Sequence, residues 1–325
     1  MKTVKYKKYG AAHVLKSVDI EVPGITDDQV LLKVKAVSIN PVDWHLMRGT
    51  PYLIRLQSGL VKPKNGSFGL DMAGVVESVG KNVSEFKVGD EVFGESRGAL
   101  SEFAVISKEN LVVKPTNLSF EAAAAVPMAG FTALQALRDK GRIQAGQKVL
   151  IVGASGGVGT FAVQIAKSYG TEVTGVCSSR NVEMVKTIGA DHVIDYTSEN
   201  FWESNEKFDL IVQTAGNYSL AQFRKVLSPK GTLVLAGDSS GTKAVFGMGF
   251  IIGMLKTAVI SLLSNQRIPA FLAQRSKADL IVLKKLIEDG KLTPVIDKRF
   301  LMAQIADAVR YSETGHARGK IVITM

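Results

Sequence analysis

The chain has 325 residues, enough for two domains because a single hydrophobic core rarely grows beyond about 250–300 residues. Hydrophobic residues make up 46% and charged residues 22% of the chain, a balance that excludes a largely disordered protein. The formal net charge of +10 is spread along the whole chain, so nucleic-acid binding is not expected, while small anionic ligands or an anionic membrane surface stay open.

Residues 1–122 consist of short apolar runs separated by turns. Val30–Val37 alternates between apolar and polar residues, Gly74–Val79 is β-branched, and a Gly-Asp turn precedes Glu91–Phe93. These patterns predict a β-rich domain.

Helices and strands alternate in the next part of the chain. Glu121–Leu137 is an alanine-rich helical stretch that Pro127 interrupts. The predicted elements after it are strand Lys148–Val152, helix Gly157–Tyr169, strand Glu172–Cys177, helix Val182–Ile188, strand Phe208–Thr214, helix Leu220–Leu227 and strand Gly231–Ala236. This succession predicts βαβ units and a doubly wound parallel sheet over residues 123–275. A helix near Ala278–Asp289 and strands at Lys298–Leu301 and Lys320–Thr324 follow, and we expect residues 276–325 to complete the first domain.

A glycine-rich loop follows the first strand of the predicted parallel sheet. The strand leads into Gly153, and the candidate binding residues come next: Ala154, Ser155, Gly156, Gly157, Val158 and Gly159. Glycines allow a tight turn and the close approach of a pyrophosphate, which the N–H groups at a helix start stabilise. The loop therefore predicts a dinucleotide site, with a purely structural glycine turn as the alternative.

The end of the second strand indicates which dinucleotide binds. An NAD enzyme usually has an acidic residue there, about 20 positions after the glycines, to hold the ribose hydroxyls. This chain has Ser178, Ser179 and Arg180 instead, and two hydroxyls with a guanidinium suit a 2′-phosphate. The pattern predicts NADPH, unless Arg180 is only a solvated residue at the start of the next helix.

Cys177 is the only cysteine in the chain, which rules out an intrachain disulfide and a cysteine-rich zinc site. The first nine residues begin with alternating valine and lysine, without the basic flank and apolar run of a secretory signal. We therefore expect a cytoplasmic protein.

The whole chain resembles the medium-chain dehydrogenase/reductase superfamily, and within it the zinc-free quinone oxidoreductase branch related to zeta-crystallin. The glycine loop carries the resemblance together with the passages Ser38–Asp43, Gly69–Val76, Val88–Val92, Ala125–Ala133, Gly189–Asp191 and Gly315–Lys320. The resemblance implies a Rossmann domain at 123–275 and a GroES-like, barrel-like catalytic domain at 1–122. A homodimer is also expected.

The resemblance also concerns metal binding. Zinc enzymes of the superfamily have a Gly-His-Glu turn, which here reads Gly69-Leu70-Asp71, and Leu70 has no lone pair for a metal. The four histidines are scattered without ligand spacing. We therefore expect no metal, and a quinone or an α,β-unsaturated carbonyl as the substrate, because a conjugated acceptor takes a hydride without a Lewis acid.

Two residues are candidates for the catalytic chemistry. By resemblance, Asn40 lies near the nicotinamide and the substrate, and the alternative is a local turn before Pro41. Tyr52 is the candidate for a phenol over the pocket, and a plain hydrophobic lid contact is its alternative. Asp43 is expected to form structural hydrogen bonds.

Further residues are expected at the cofactor. Gly216, Gly237 and Ser239 follow predicted strands at the carboxyl edge, where open α/β sheets bind ligands. The resemblance adds Thr132, Tyr196, Phe271 and Leu272, with an exposed loop aromatic as the alternative for Tyr196. The positive charges of Arg318 and Lys320 are expected near the 2′-phosphate. Lys320 has the alternative of only beginning the last strand.

Phe246–Leu263 is an apolar stretch near the lower length limit of a membrane span, about 17–25 residues. Lys256 in its middle and its place inside the Rossmann domain argue against a span. We expect a lid for a lipophilic substrate, a dimer contact or peripheral membrane docking. A non-catalytic NADPH-binding sensor or structural protein is the alternative for the chain as a whole.

Overall fold

The structure is a computed structural model that describes residues 1–237, 265–269 and 271–325. The predicted apolar stretch Phe246–Leu263 and the predicted cofactor residue Ser239 lie outside the described residues. The chain forms two compact units. Unit 1 contains Met1–Ala129, Arg275–Gly290 and Pro294–Met325, and unit 2 contains Gly130–Gln274 and Lys291–Thr293.

Both units contain strands and helices. The strands are β1 Lys2–Lys5, β2 Lys16–Asp19, β3 Gln29–Ile39, β4 Asp71–Val79, β5 Glu91–Glu95, β6 Phe103–Ser107, β7 Leu111–Val113, β8 Lys148–Val152, β9 Glu172–Cys177, β10 His192–Asp195, β11 Phe208–Gln213, β12 Leu227–Leu235, β13 Ile296–Leu301 and β14 Lys320–Thr324. The helices are α1 Pro41–Arg48, α2 Arg55–Ser58, α3 Phe120–Ala124, α4 Pro127–Gln135, α5 Gly157–Ser168, α6 Val182–Thr187, α7 Leu220–Val226, α8 Lys277–Glu288 and α9 Ile305–Glu313.

Unit 1 is built on a mainly antiparallel sheet in which β3 is the central strand. The described strands follow the order β13-β14-β3-β4-β5-β7, and β6 also pairs with β3. Exposed Lys33 and Lys35 alternate with buried apolar residues along β3, which is the pattern of a strand with one face on a core. That core contains Leu32, Met72 and Phe68 among its buried side chains.

Helix α1 begins where β3 ends. Asn40 is its N-cap with an extended backbone, and Pro41 occupies the first helical position, where its missing N–H is not needed. The helix ends at Gly49, whose φ of 63° is a left-handed conformation that glycine adopts at low cost. This local sequence places Asn40 at the junction of strand and helix.

Unit 2 is built on a parallel sheet whose described strands follow the order β10-β9-β8-β11-β12. Its central strands are almost wholly apolar because helices cover both faces of such a sheet. Leu150, Ile211 and Phe223 belong to the core on one face. The carboxyl ends of the strands meet at one edge of the sheet, which is where open α/β sheets bind ligands.

The structure confirms the predicted fold class, a Rossmann-like parallel sheet together with a GroES-like β-rich unit. Within the described residues, no helix is both long enough and apolar enough to cross a membrane.

Candidate active site

The glycine loop of unit 2 joins β8 to α5 in a conformation that fits a dinucleotide. Gly153 has a φ of 86°, and Gly156 is the N-cap of α5. A Cβ on Gly159 would lie 2.0 Å from the carbonyl oxygen of Gly153, so the helix packs directly on the loop. The N–H groups of the first helical turn have no acceptor within a helix and can bind a pyrophosphate. Ala154 is buried, whereas Ser155, Gly157 and Val158 are half-buried at the loop and helix start.

The end of β9 lies beside this loop. Val176 accepts hydrogen bonds through its carbonyl oxygen from the N–H groups of Gly153 and Ala154, at 3.1 and 3.0 Å. Ser178 is half-buried, while Ser179 and Arg180 are exposed. The structure therefore brings the predicted pyrophosphate loop and the predicted 2′-phosphate residues to one edge of the sheet.

Cys177, the last residue of β9, is buried. Burial raises the pKa of its thiol to about 11, so it is an inert apolar side chain at neutral pH.

A carboxylate next to the predicted phosphate site is held by neighbouring hydroxyls. Asp195 at the end of β10 accepts from the N–H and the hydroxyl of Thr197 at 2.9 and 2.7 Å. The hydroxyls of Ser179 and Thr197 are 2.8 Å apart. Hydrogen bonds from Ser179 and Thr197 hold the pKa of Asp195 below its usual value. Tyr196 follows with half of its surface exposed.

Gly216 and Gly237 also lie after strands at this edge. The Gly216 carbonyl accepts from Nε2 of the fully buried Gln213 at 2.6 Å. The Oε1 atom of Gln213 is buried with no hydrogen-bond partner among the described residues. A Cβ on Gly237 would lie 2.2 Å from the carbonyl oxygen of Thr214, so glycine is required there for close backbone approach.

Three further predicted cofactor residues belong to unit 2. Thr132 is buried in α4. Phe271 and Leu272 lie outside the named helices and strands, and the Leu272 side chain is exposed.

In unit 1, the strand registers bring polar residues together that are distant in the sequence. Ser38 on β3 pairs with Asp71 on β4, and Asp71 pairs with Glu95 on β5. Lys320 begins β14, which pairs with the end of β3. With Asn40 at the end of β3, these residues form what we call the buried polar cluster.

Hydrogen bonds connect four members of the buried polar cluster, Ser38, Asn40, Asp71 and Lys320. Lys320 donates through Nζ to Oδ1 of Asn40 at 2.6 Å, and Asn40 donates through Nδ2 to Oδ2 of Asp71 at 2.9 Å. The Met128 N–H and the Ser38 hydroxyl also donate to Asp71, at 3.2 and 3.4 Å to the nearer oxygens. Asn40, Asp71 and Lys320 are each at most 3% exposed. The orientation of the Asn40 amide is therefore fixed at both ends.

Burial shifts the proton equilibria of the cluster toward the neutral forms. It raises the pKa of Asp71 and lowers that of Lys320, while the attraction between the two charges opposes both shifts. Asp43, which accepts from the Asn40 N–H at 2.8 Å, has its pKa raised to about 8 by burial. The expectation of a structural hydrogen-bonding role for Asp43 agrees with this contact.

Lys320 is one of the residues expected at the cofactor, with the alternative of only beginning the last strand. Its amine is committed to Asn40 and lies 3.6 Å from Asp71, because a buried ammonium needs an acceptor and a counter-charge. Lys320 is also the first residue of the last strand, β14. Arg318 is exposed, and its backbone N–H donates to Asp297 at 2.9 Å.

Tyr52 lies in a short 3₁₀ turn, Tyr52–Ile54, ahead of α2. Its side chain is 40% exposed, and the Arg55 guanidinium lies 4.5 Å from the ring centroid. The cation over the ring face restrains the tyrosine without using its hydroxyl.

Sequence reasoning missed several members of these sites. In the sequence, Asp71 is noticeable only as part of a turn that lacks a metal ligand, although a carboxylate in a buried apolar strand signals a partner of opposite charge. Asn181 and Gln213 carried no recognisable signal. Within the parts of the chain that the structure describes, no three His, Cys, Asp or Glu side chains form a group that could hold a metal ion.

Asp43 is expected to make the folding free energy depend on pH. Its folded pKa lies above the usual 3.8, so its stabilising contribution is complete below pH 4 and is lost as the pH rises through about 8. Asp43→Asn keeps an oxygen for the Asn40 N–H and removes the ionisation. The free energy of unfolding of the wild type relative to this variant should fall by about 1.4 kcal/mol for each pH unit between about pH 4 and about pH 8, and level off above that range.

Urea unfolding at pH 5, 7 and 9 measures this difference. Asp19→Asn, at an exposed position, is the matched control and should give curves parallel to the wild type. Asp71, Glu95 and Lys320 are the charged groups that act on Asp43, and they are unchanged in both variants. A constant difference between wild type and Asp43→Asn would contradict the raised pKa.

Two family models match the chain. Residues 26–116 match the alcohol dehydrogenase GroES-like domain, and residues 188–323 match the zinc-binding dehydrogenase family. The two matches lie in the parts of the chain that the resemblance assigns to this superfamily.

Relatives align over nearly the whole chain. It is 34% identical to the 2-methylene-furan-3-one reductase of Solanum lycopersicum, over 99% of this chain and 79% of the relative. It is also 34% identical to the chloroplastic NADPH-dependent alkenal/one oxidoreductase of Arabidopsis thaliana, with the same coverage of 99% and 79%. The structure of the quinone oxidoreductase from Coxiella burnetii is 31% identical, with a TM-score of 0.84 over 100% of this chain and 99% of that one.

Proposed function

The chain belongs to the quinone oxidoreductase branch of the medium-chain dehydrogenase/reductase superfamily, and we propose that it uses NADPH to reduce a lipophilic quinone or enone without a metal. It is an oxidoreductase, since its relatives are quinone oxidoreductases and reductases of conjugated carbonyls. The non-catalytic sensor is therefore not favoured. The observation that carries the cofactor proposal is the group Ser178, Ser179 and Arg180 beside the glycine loop.

The bound nicotinamide supplies a hydride. The residues of the chain have to position the acceptor and stabilise the oxyanion that forms when a conjugated carbonyl or quinone takes that hydride. Asn40 is suited to this task because Lys320 donates to its amide oxygen, which fixes the direction in which the amide N–H groups donate. One of those N–H groups is bonded to Asp71, and the other is the proposed donor. The proton that completes the product comes from solvent.

A substrate panel tests the function. NADPH oxidation is expected with prenylated quinones and long-chain enones, and only weakly with simple ketones, before and after dialysis against a chelator. Tyr52→Phe removes one hydroxyl, whereas Asn40→Ala also removes two bonds of the buried polar cluster, so its unfolding temperature is measured in parallel. Turnover should fall at least tenfold if either side chain stabilises the oxyanion. If neither turnover falls tenfold, catalysis rests on positioning alone.

Arg180→Ala is expected to weaken NADPH binding by about 1–3 kcal/mol, the range of a charge-assisted hydrogen bond, with little change for NADH. Arg180 is exposed just after β9. NADH has no 2′-phosphate with which the guanidinium could form a hydrogen bond. Fluorescence titration with both cofactors measures the difference. Lys186→Ala removes an equal charge from the nearby helix α6 and is the control. An equal loss for both cofactors would refute the role of Arg180.

We extend the proposal to a cytoplasmic homodimer, with residues 246–263 as a lid, a dimer contact or a peripheral membrane contact. Its support is the single cysteine, Cys177, which excludes an intrachain disulfide, and the apolar composition of that stretch. Sedimentation of the protein with and without liposomes separates a membrane contact from the other two roles.

A further inference from the structure

Asn181 connects the two halves of the cofactor site in unit 2. Its Nδ2 atom donates to the hydroxyl of Ser155 in the glycine loop at 3.0 Å and to the hydroxyl of Ser178 after β9 at 3.2 Å. The residue is 4% exposed, and its Oδ1 is buried without a partner among the described residues. One buried amide therefore touches a residue from each predicted phosphate-binding segment.

Asn181 lies at the N-cap of α6, but its side chain does not cap that helix. It is the N-cap of α6, where an asparagine side chain usually accepts a hydrogen bond from the first helical turn. Here the side chain makes no capping bond and turns toward the two serines. A buried oxygen left unpaired costs folding free energy, so a structural cap does not account for this orientation.

The Asn181 amide determines which hydrogen-bonding role is left to the hydroxyls of Ser155 and Ser178. A serine hydroxyl has one hydrogen to donate and two lone pairs. Because Asn181 occupies a lone pair of each hydroxyl, the hydroxyl hydrogens are free to point away from it. Phosphate oxygens only accept, so a hydroxyl must offer its hydrogen to bind them. Both serines are half-buried and can be reached by a ligand.

We propose that Asn181 is a positioning residue for the cofactor, which sets the Ser155 hydroxyl as a donor to the pyrophosphate and the Ser178 hydroxyl as a donor to the 2′-phosphate. This inference rests on the proposed NADPH dependence. Asn181 itself is not proposed to contact a phosphate. It acts by orienting Ser155 and Ser178, which are proposed to contact the phosphates.

Asn181→Asp tests the proposal with almost no change in shape. Carboxylate oxygens accept the serine hydrogens, draw them away from the ligand and place a negative charge beside the phosphates. Dissociation constants for NADPH, NADH and 2′,5′-ADP are measured by titration on the full chain. NADPH and 2′,5′-ADP should bind at least tenfold more weakly to Asn181→Asp, and NADH should be weakened less because it lacks the 2′-phosphate.

Serine variants show whether Asn181 acts through the hydroxyls. Ser178→Ala should weaken NADPH and leave NADH unchanged, and Ser155→Ala should weaken both. In the Ser155→Ala/Ser178→Ala background, Asn181→Ala should have no further effect on NADPH binding, whereas a merely structural residue would weaken it again. These serine variants also decide the question if Asn181→Asp does not fold.

The outcomes separate this proposal from the proposed function. The positioning role would be overturned if Asn181→Asp bound NADPH as tightly as the wild type. It would also be overturned if Asn181→Ala weakened NADPH binding further in the Ser155→Ala/Ser178→Ala background. Either result would leave NADPH dependence intact. A wild-type protein that binds neither NADPH nor 2′,5′-ADP would overturn the proposed cofactor and this inference with it.

Discussion

Gly159→Ala is expected to lower the free energy of unfolding by about 3 kcal/mol, the upper end of the range for overpacking, and to abolish tight cofactor binding. The added Cβ would lie 2.0 Å from the carbonyl oxygen and 2.8 Å from the carbonyl carbon of Gly153. Both atoms are backbone, so no side chain can rotate to make room. Helix α5 has to move away from the loop whose N–H groups are proposed to hold the pyrophosphate.

Gly156→Ala is the matched control in the same loop. Its φ of −82° suits alanine, and the nearest atom to an added Cβ is 3.4 Å away. The fold should therefore tolerate it, with a free energy of unfolding within about 1 kcal/mol of the wild type. Cofactor binding should still weaken, because glycine in such a loop allows the close approach of a pyrophosphate.

Urea unfolding and dinucleotide titration on the two variants separate stability from binding. Gly159→Ala should lose both, and Gly156→Ala should lose binding alone. A Gly159→Ala variant that unfolds at the wild-type urea concentration would show that the helix does not pack on the loop in this way.

The parts of the fold that the sequence predicted best are those with local signals. Lys148–Val152, Glu172–Cys177 and Lys320–Thr324 have the predicted bounds, since each is a short run of mainly β-favouring residues flanked by breakers or charges. Pro127 does interrupt the predicted alanine-rich helix, which is two helices, α3 and α4. Strand β10 was missed because its four residues include His192 and Asp195 and show no periodicity.

The glycine loop and the buried polar cluster also differ in whether a local sequence pattern predicts them. The glycine loop is continuous in sequence, so its residues could be predicted from one strand-loop-helix pattern. Strand pairing between β14, β3 and β4 brings together Asn40, Asp71 and Lys320 of the buried polar cluster. No local pattern reports that pairing, and a lysine in a sequence is ordinarily taken to be exposed.

Lys320→Met is expected to destabilise the folded protein by about 3–5 kcal/mol at neutral pH, the usual cost of removing one partner of a buried ion pair. Methionine fills a similar volume but leaves Oδ1 of Asn40 and the carboxylate of Asp71 without their buried cation. Asp71→Asn in the same chain removes the uncompensated charge and keeps an oxygen that can accept from Met128 and Ser38. The double variant should therefore recover most of the lost stability.

The pH dependence identifies the cause of the destabilisation. Burial already raises the pKa of Asp71, and loss of the Lys320 charge removes the attraction that opposes that shift. A group with a raised folded pKa stabilises the fold at low pH and loses that contribution as the pH rises. Lys320→Met should thus approach the stability of the double variant at pH 5 and fall below it at pH 8, in urea unfolding experiments. If the single and double variants differ by the same amount at both pH values, the loss arises from packing, and Lys320 does not act on Asp71 through its charge.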